Sequence, residues 1–361
     1  MELYIMDKDF NKLTIIDEYE SLLWIDRYSK PGEFEIYMGV NTDLLQYLTL
    51  GNYIRQKNSE HVMIIESVRT ETNIEEGDHI TVAGRSVECL YGRRIIWKQR
   101  DFQDNYFQNA FGNLIEENAG VVASEERKIP NMVRMLNSDP RFLDMKVTAQ
   151  YTGDNLLDAL VELCDSYKVG FKTIFNEERQ RFETSIYLGT DRSYDQDTES
   201  YVIFSTNFDN IINTNYFESD KEFCNVTLVS GEGEGLDRIT QVVGNTAGLE
   251  RREYWTDARD LRTKDEDGND IPIENYYEML RQRGKEKLTE HKKEKTFDGK
   301  VDPSQTFTYG EDFFLGDIVQ IRNEFGIEGS ARIVEYIMSE SVNNGLEYYP
   351  TFEAIQEDAE E

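Results

Sequence analysis

The sequence predicts an α+β chain that is mostly β, and three observations carry that reading. Short apolar or alternating runs recur about every ten residues over the first 97 positions, the spacing of successive short strands. A 3.6-residue apolar period appears in only a few segments, at 105–118, 154–170 and 274–296. A Gly-rich break, Gly231-Glu232-Gly233-Glu234-Gly235, separates a run holding Val226 and Leu228 from a run at 238–243, as in a hairpin.

Taken in order, Leu13-Thr14-Ile15-Ile16 and Leu22-Leu23-Trp24 are apolar runs, and Phe34-Glu35-Ile36-Tyr37-Met38 alternates after a Pro31-Gly32 turn. Tyr53-Ile54, 62–68 and 79–83 follow, spaced by Gly and Asn. Regular short strands of this kind build a barrel or sandwich, so 1–97 is read as a first β-barrel domain. Phe107, Ala110, Phe111, Leu114 and Ile115 then fall on one face of a helix. A second helix opens after Gly153 with Asp154 as N-cap, carries Leu156, Leu160, Leu163 and Tyr167 on one side, and stops near Gly170. A hairpin over 171–175 and 181–188 completes a small α+β domain at 98–196, and the polar stretch 191–200 is its linker out.

Strands resume at Tyr201-Val202-Ile203-Phe204 and continue through the hairpin to Val243. Residues 251–300 hold 13 Lys+Arg and 13 Asp+Glu, so this segment is neutral while the rest carries the whole acidic excess. Tyr276, Tyr277, Leu280, Lys287, Leu288 and His291 mark an amphipathic helix ending before Phe297. Strands return at Thr306-Phe307-Thr308-Tyr309, 317–322, 331–338 and 346–352. The simplest division is a second β-barrel domain, 197–250 plus 301–356, interrupted by a charged helical insertion at 251–300. Glu357 to Glu361 form an acidic fringe expected to fray.

Charge excludes some functions. With 39 Lys+Arg against 71 Asp+Glu, the formal charge of −32 disfavours a surface that grips nucleic acid, which needs clustered cations. It suits a surface that nucleic acid slides past, and equally plain solubility. The opening MELYIMDKDF lacks the basic and apolar regions of a signal peptide, and no apolar stretch approaches 18 residues, so no membrane span is expected. Cys89, Cys164 and Cys224 are scattered and read as free thiols. Without a leader, the sequon Asn225-Val226-Thr227 is given no role.

The sequence assigns no catalytic, cofactor-binding or metal residue. His61, His79 and His291 lack metal-ligand spacing, and His61 and His79, at strand edges, are read as solvated or packing residues. Asp265, Asp267, Gly268, Asn269 and Glu274 match positions 3, 5, 6, 7 and 12 of a calcium loop. Thr263 replaces its first carboxylate and Pro272 falls inside, so 263–274 is read as an Asp-Gly turn before a helix. The glutamates of the Gly-rich break would repel phosphate. Arg281, Arg283, Lys285, Lys287, Lys292, Lys293 and Lys295 are interleaved with Glu286, Glu290 and Glu294, the pattern of a solvated helix rather than a nucleic-acid stripe.

An ordered series of signatures runs through nearly the whole chain. It comprises Gly32-x-Phe34, Leu188-Gly189-Thr190-Asp191-Arg192, and Val202-Ile203-Phe204-Ser205 with Asn207, Asn210 and Asn213. Residues 231–238 before Glu250-Arg251-Arg252-Glu253-Tyr254 follow, then Leu315-Gly316-Asp317-Ile318-Val319 and Pro350-Thr351-Phe352. The series resembles the hub protein of phage tail tips and baseplates and of phage-like contractile injection systems.

That resemblance implies a non-enzymatic homotrimer without cofactors, each subunit carrying two tail-tube-like β-barrel domains. The ring would adapt a sixfold tail tube or distal tail protein to a threefold spike or fibre. Its channel would pass tape-measure protein and DNA without specific binding. The place implied is the virion tail tip or baseplate, assembled in the bacterial host cytoplasm. Since the sequence stops at the last strand, cell-wall cutting or a spike tip is expected on another chain. A virion-associated cell-wall hydrolase and a host receptor-binding adhesin remain as alternatives.

Overall fold

The N-terminal runs become strands. In the computed structural model, which describes residues 2–57, 59–74, 77–301 and 307–354, they are β1 (Leu3–Met6), β2 (Lys12–Ile16), β3 (Ser21–Arg27) and β4 (Glu33–Gly39). A short helix α1 (Thr42–Leu45) leads to β5 (Tyr53–Gln56), β6 (Val62–Asn73) and β7 (Gly77–Ser86). β4 keeps the two-residue period: Phe34, Ile36 and Met38 are buried, and the residues between them face outward. β6 instead opens with Val62, Met63, Ile64 and Ile65 all buried, because both its faces are covered. Met63 and Ile65 enter the core under the large sheet, while Val62 and Ile64 enter the core shared with the α+β region. Before β4, a Cβ at Gly32 would overlap the Ile25 carbonyl oxygen.

The α+β region holds β8 (Arg100–Tyr106), α2 (Phe107–Asn118), β9 (Met132–Arg134), β10 (Lys146–Tyr151), α3 (Leu156–Ser166), β11 (Gly170–Asn176) and β12 (Arg181–Tyr187). All five apolar residues expected on the face of α2 are buried. The α3 cap is Asn155 rather than Asp154. Asn155 stays extended and its side chain accepts the Leu157 N–H at 3.0 Å, whereas the Asp154 carboxylate turns back to the Thr152 N–H. β11 and β12 form the expected hairpin, with β9 added in parallel.

The C-terminal half holds β13 (Ile203–Ser205), β14 (Ile211–Ser219), β15 (Val226–Ser230), β16 (Thr240–Val243), β17 (Glu253–Asp257), α4 (Ile273–Glu290), β18 (Glu294–Val301), β19 (Ile318–Arg322), β20 (Glu328–Ser341) and β21 (Gly345–Ala354). The strand expected at 306–309 is not formed by its described part. Tyr309 makes only an isolated bridge to Phe313 and stacks on Tyr336 at 3.9 Å, so these aromatics fill a core instead of extending a ladder. Thr306 and the acidic fringe lie outside the described residues.

Two barrels were expected, but the strands run as one 13-stranded sheet. Its main path is β14-β18-β21-β20-β3-β4-β7-β6-β5-β1-β2, with β19 attached to β20 and β13 to β19, and no closed barrel is found among the described residues. The length of β20 explains the continuity. One edge of this 14-residue strand pairs with β21; the other pairs first with β19 and then, past a bulge at Ile333/Glu335, with β3. One core accordingly runs under both halves, from Trp24 and Phe34 to Phe204, Phe297 and Phe352.

The Gly-rich hairpin lies elsewhere than the sequence placed it. β15 and β16 pair with each other, but β17 adds in parallel to β15, and this three-stranded sheet is separate from the large one. α4 covers it, burying Val229, Ala258, Leu261, Tyr276, Met279 and Leu280. The segment 251–300 is thus shared, since β18 leaves it to pair with β14 and β21 in the large sheet.

Candidate functional site

Two of the signature stretches meet in space. The Asp317 carboxylate, 2% exposed, accepts the Thr190 N–H at 2.7 Å, the Phe314 N–H at 3.0 Å and Arg192 Nε at 3.0 Å. A Cβ on Gly189 would overlap the Gly316 carbonyl, so glycine is required for the backbones to approach. The stretch 191–200, expected as a linker, is therefore anchored at its start: Asp191 bridges Ile318, and Ser193 is fully buried.

A second polar centre lies where β3, β6, β7 and β11 converge. His61, expected at a solvated strand edge or in packing, is 4% exposed and bridges to Ile174 of β11. Its Nδ1 is 3.7 Å from Glu88 Oε1. Burial alone would depress the imidazole pKa, but the Asp26 and Glu88 carboxylates overcome it and raise it to about 9. Burial works against ionised Glu88 too, and the nearby charge of His61 holds it below the ordinary carboxyl range. Burial pushes Asp26 up, even though it accepts Trp24 Nε1–H at 2.9 Å and the Ser59 hydroxyl at 2.9 Å. Glu88 also accepts the Thr173 N–H, tying β11 to the first β region. Asp26, His61 and Glu88 are all buried in it. A lone histidine in sequence carried no signal that two distant acids would enclose it.

The remaining motifs resolve individually. His79 stacks on Tyr37 and meets Glu20 Oε1 at 2.8 Å, and His291 lies 4.2 Å from the Tyr254 ring. Among the described residues no group of three or more His, Cys, Asp or Glu is placed to hold a metal. In the 263–274 loop the Asp265 carboxylate accepts the Asp267 and Asn269 N–H groups, and the Thr263 hydroxyl donates to Glu232 Oε2 at 2.6 Å. Glu232 thereby links the Gly-rich turn to that loop, and Tyr276 joins them by accepting the Glu232 N–H and donating to the Leu261 carbonyl. Cys89, Cys164 and Cys224 are free, and burial raises the first to about 12. The basic run finds acids across elements as well as along α4: Arg283 with Asp260, Lys287 with Glu162 and Glu290, Lys295 with Glu218. No helix of the described residues is long and apolar enough to cross a membrane.

One surface exposes a row of apolar side chains. On the outer face of the small sheet, Val242, Leu228 and Trp255 stand in register and are 49%, 42% and 53% exposed. Arg238 lies over the Trp255 ring and pairs with Asp257.

Residues 2–352 match the family described as Siphovirus ReqiPepy6 Gp37-like protein. The chain belongs to this family. It is a family of siphovirus tail structural proteins, so the chain is a phage tail component. No curated protein matches. Among solved structures, the chain is similar to the tail protein from Neisseria meningitidis MC58, with TM-score 0.57, 13% identity, and 99% of this chain and 96% of that one covered. It is similar to the prophage MuSo2 43 kDa tail protein from Shewanella oneidensis, with TM-score 0.58, 11% identity and 98% of each chain covered. A third is prophage tail protein gp18 from Listeria monocytogenes EGD-e, with TM-score 0.52, 11% identity, and 99% and 96% covered. These likenesses, at low identity, concern the fold.

Proposed function

We propose that the protein is the structural hub of a phage tail tip or phage-like injection machine, acting as a homotrimer with no reaction to catalyse. The observation that carries this is the end-to-end family match over residues 2–352. The sheet supports it, because among the described residues its two halves join through the β3–β20 pairing and share one core. In this reading the halves, 1–97 and 197–225 with 294–356, act as two tube-like barrels. Three copies would then offer six such units to the tube and a threefold face to a spike or fibre. The α+β domain 98–196 and the unit of β15–β17 and α4 would decorate the ring, the latter presenting Leu228, Val242 and Trp255 to a tail neighbour. The acidic excess of 32 charges would line a channel that passes tape-measure protein and DNA without capture. The ring would assemble in the host cytoplasm and end at the tail tip.

Light scattering over a range of concentrations tests this. A 42.2 kDa subunit should give a discrete trimer, alone or on mixing with tube and spike proteins. A stable dimer, or a monomer that ignores both partners, would overturn it.

A further inference from the structure

The seam between α3 and α4 holds more acid than base, and one of its acids, Glu286, is buried. On α4, Lys287 Nζ lies 3.2 Å from Glu162 Oε1 of α3 and 2.7 Å from Glu290 Oε1. Arg283 lies 2.9 Å from Asp260 and 3.7 Å from Glu286 Oε2. Glu286, 3% exposed, takes its other contacts from neutral groups: Gln282 Nε2 at 3.1 Å and the Tyr151 hydroxyl of β10 at 3.4 Å. Asp154, at the turn between β10 and α3, adds its field to Arg283. Lys287 and Arg283 therefore face Glu162, Glu286, Asp260, Glu290 and Asp154. Tyr167 is the other titratable neighbour, its hydroxyl 3.4 Å from Gln282 Oε1. On the opposite side of α4, Gly284 sits against the apolar Val229 and Val243 of the small sheet.

Glu286 is withdrawn from water with Arg283 3.7 Å away and held by Asp260, and Glu162 shares Lys287 with Glu290, so this acid-rich seam favours protonated carboxyls. We propose that the α3–α4 seam is a pH-sensitive joint: protons held by Glu162 and Glu286 tighten the unit of β15–β17 and α4 against the α+β domain, and their loss loosens it. Burial pushes Glu162 up to about 7 against the pull of Lys287, and pushes Glu286 up against Arg283. Both acids bind protons more strongly in the closed seam than when open. Their stabilisation is complete below the ordinary carboxyl pKa of 4.5, and that of Glu162 is lost as pH rises through about 7. The device couples the orientation of the Leu228–Trp255 face to protonation within the fold.

Hydrogen exchange on the full chain tests this, with rates corrected for intrinsic pH dependence. Opening of α4 and β15 should become about tenfold more populated between about pH 5 and about pH 8, while α2 serves as the internal reference. The isosteric double variant Glu162→Gln, Glu286→Gln should abolish that change. Lys287→Met should move it to higher pH by removing the cation that favours ionised Glu162. A flat wild-type profile, a double variant that keeps the wild-type change, or a Lys287→Met profile that does not move would each overturn the proposal.

Discussion

Replacing Asp317 by Ala should destabilise the protein by about 5 kcal/mol. The carboxylate accepts two backbone N–H groups and Arg192 Nε, all within 3.0 Å, and is 2% exposed. Alanine strands the donors together. Each buried donor left unpaired costs about 1–3 kcal/mol. Breaking a buried ion pair from one side costs about 3–5 kcal/mol. The Arg192 side chain keeps 17% exposure, so water recovers part of its loss, which places the total near the lower end of the summed range. Asp317→Asn retains one acceptor oxygen and should lose roughly half as much. Urea unfolding followed by the fluorescence of buried Trp24 measures both, with a lower midpoint and an unchanged slope as the signature. An alanine variant within about 1 kcal/mol of wild type would show that the clasp between the 188–192 and 315–319 stretches contributes little.

Other expectations follow from the same geometry. Gly189→Ala should destabilise the protein in urea unfolding by about 1–3 kcal/mol or more, because its Cβ meets the Gly316 carbonyl, whereas Gly39→Ala, with open space around it, should stay within about 0.5 kcal/mol. The His61 contribution should be complete below pH 6.5 and fall away as pH rises through about 9, since the folded imidazole binds its proton more tightly than the unfolded one. His61→Gln should flatten that part of the stability profile, and a wild-type slope surviving in the variant would discount the centre. Millimolar calcium should leave the melting temperature unchanged, because Asp265 is committed to its own turn. A clear rise lost in Asp265→Ala would restore the metal reading.

What sequence alone determined here was local. The alternation at Phe34, Ile36 and Met38 declares a strand with one buried face, and Phe107, Ala110, Phe111, Leu114 and Ile115 declare a helix stripe, because side-chain period follows from backbone geometry without reference to distant residues. The resemblance also followed from order along the chain. Partner choice was different. Nothing in Val226–Ser230 indicates that its second neighbour is Glu253–Asp257 rather than a strand of the large sheet, since any strand edge offers the same donors and acceptors. The join between the two halves depended on how far Glu328–Ser341 extends past its bulge. Asp317 and Thr190 are 127 residues apart, and His61 became a buried cation only when Asp26 and Glu88 folded around it. Burial of a polar group is set by what packs over it, and that is decided by tertiary structure.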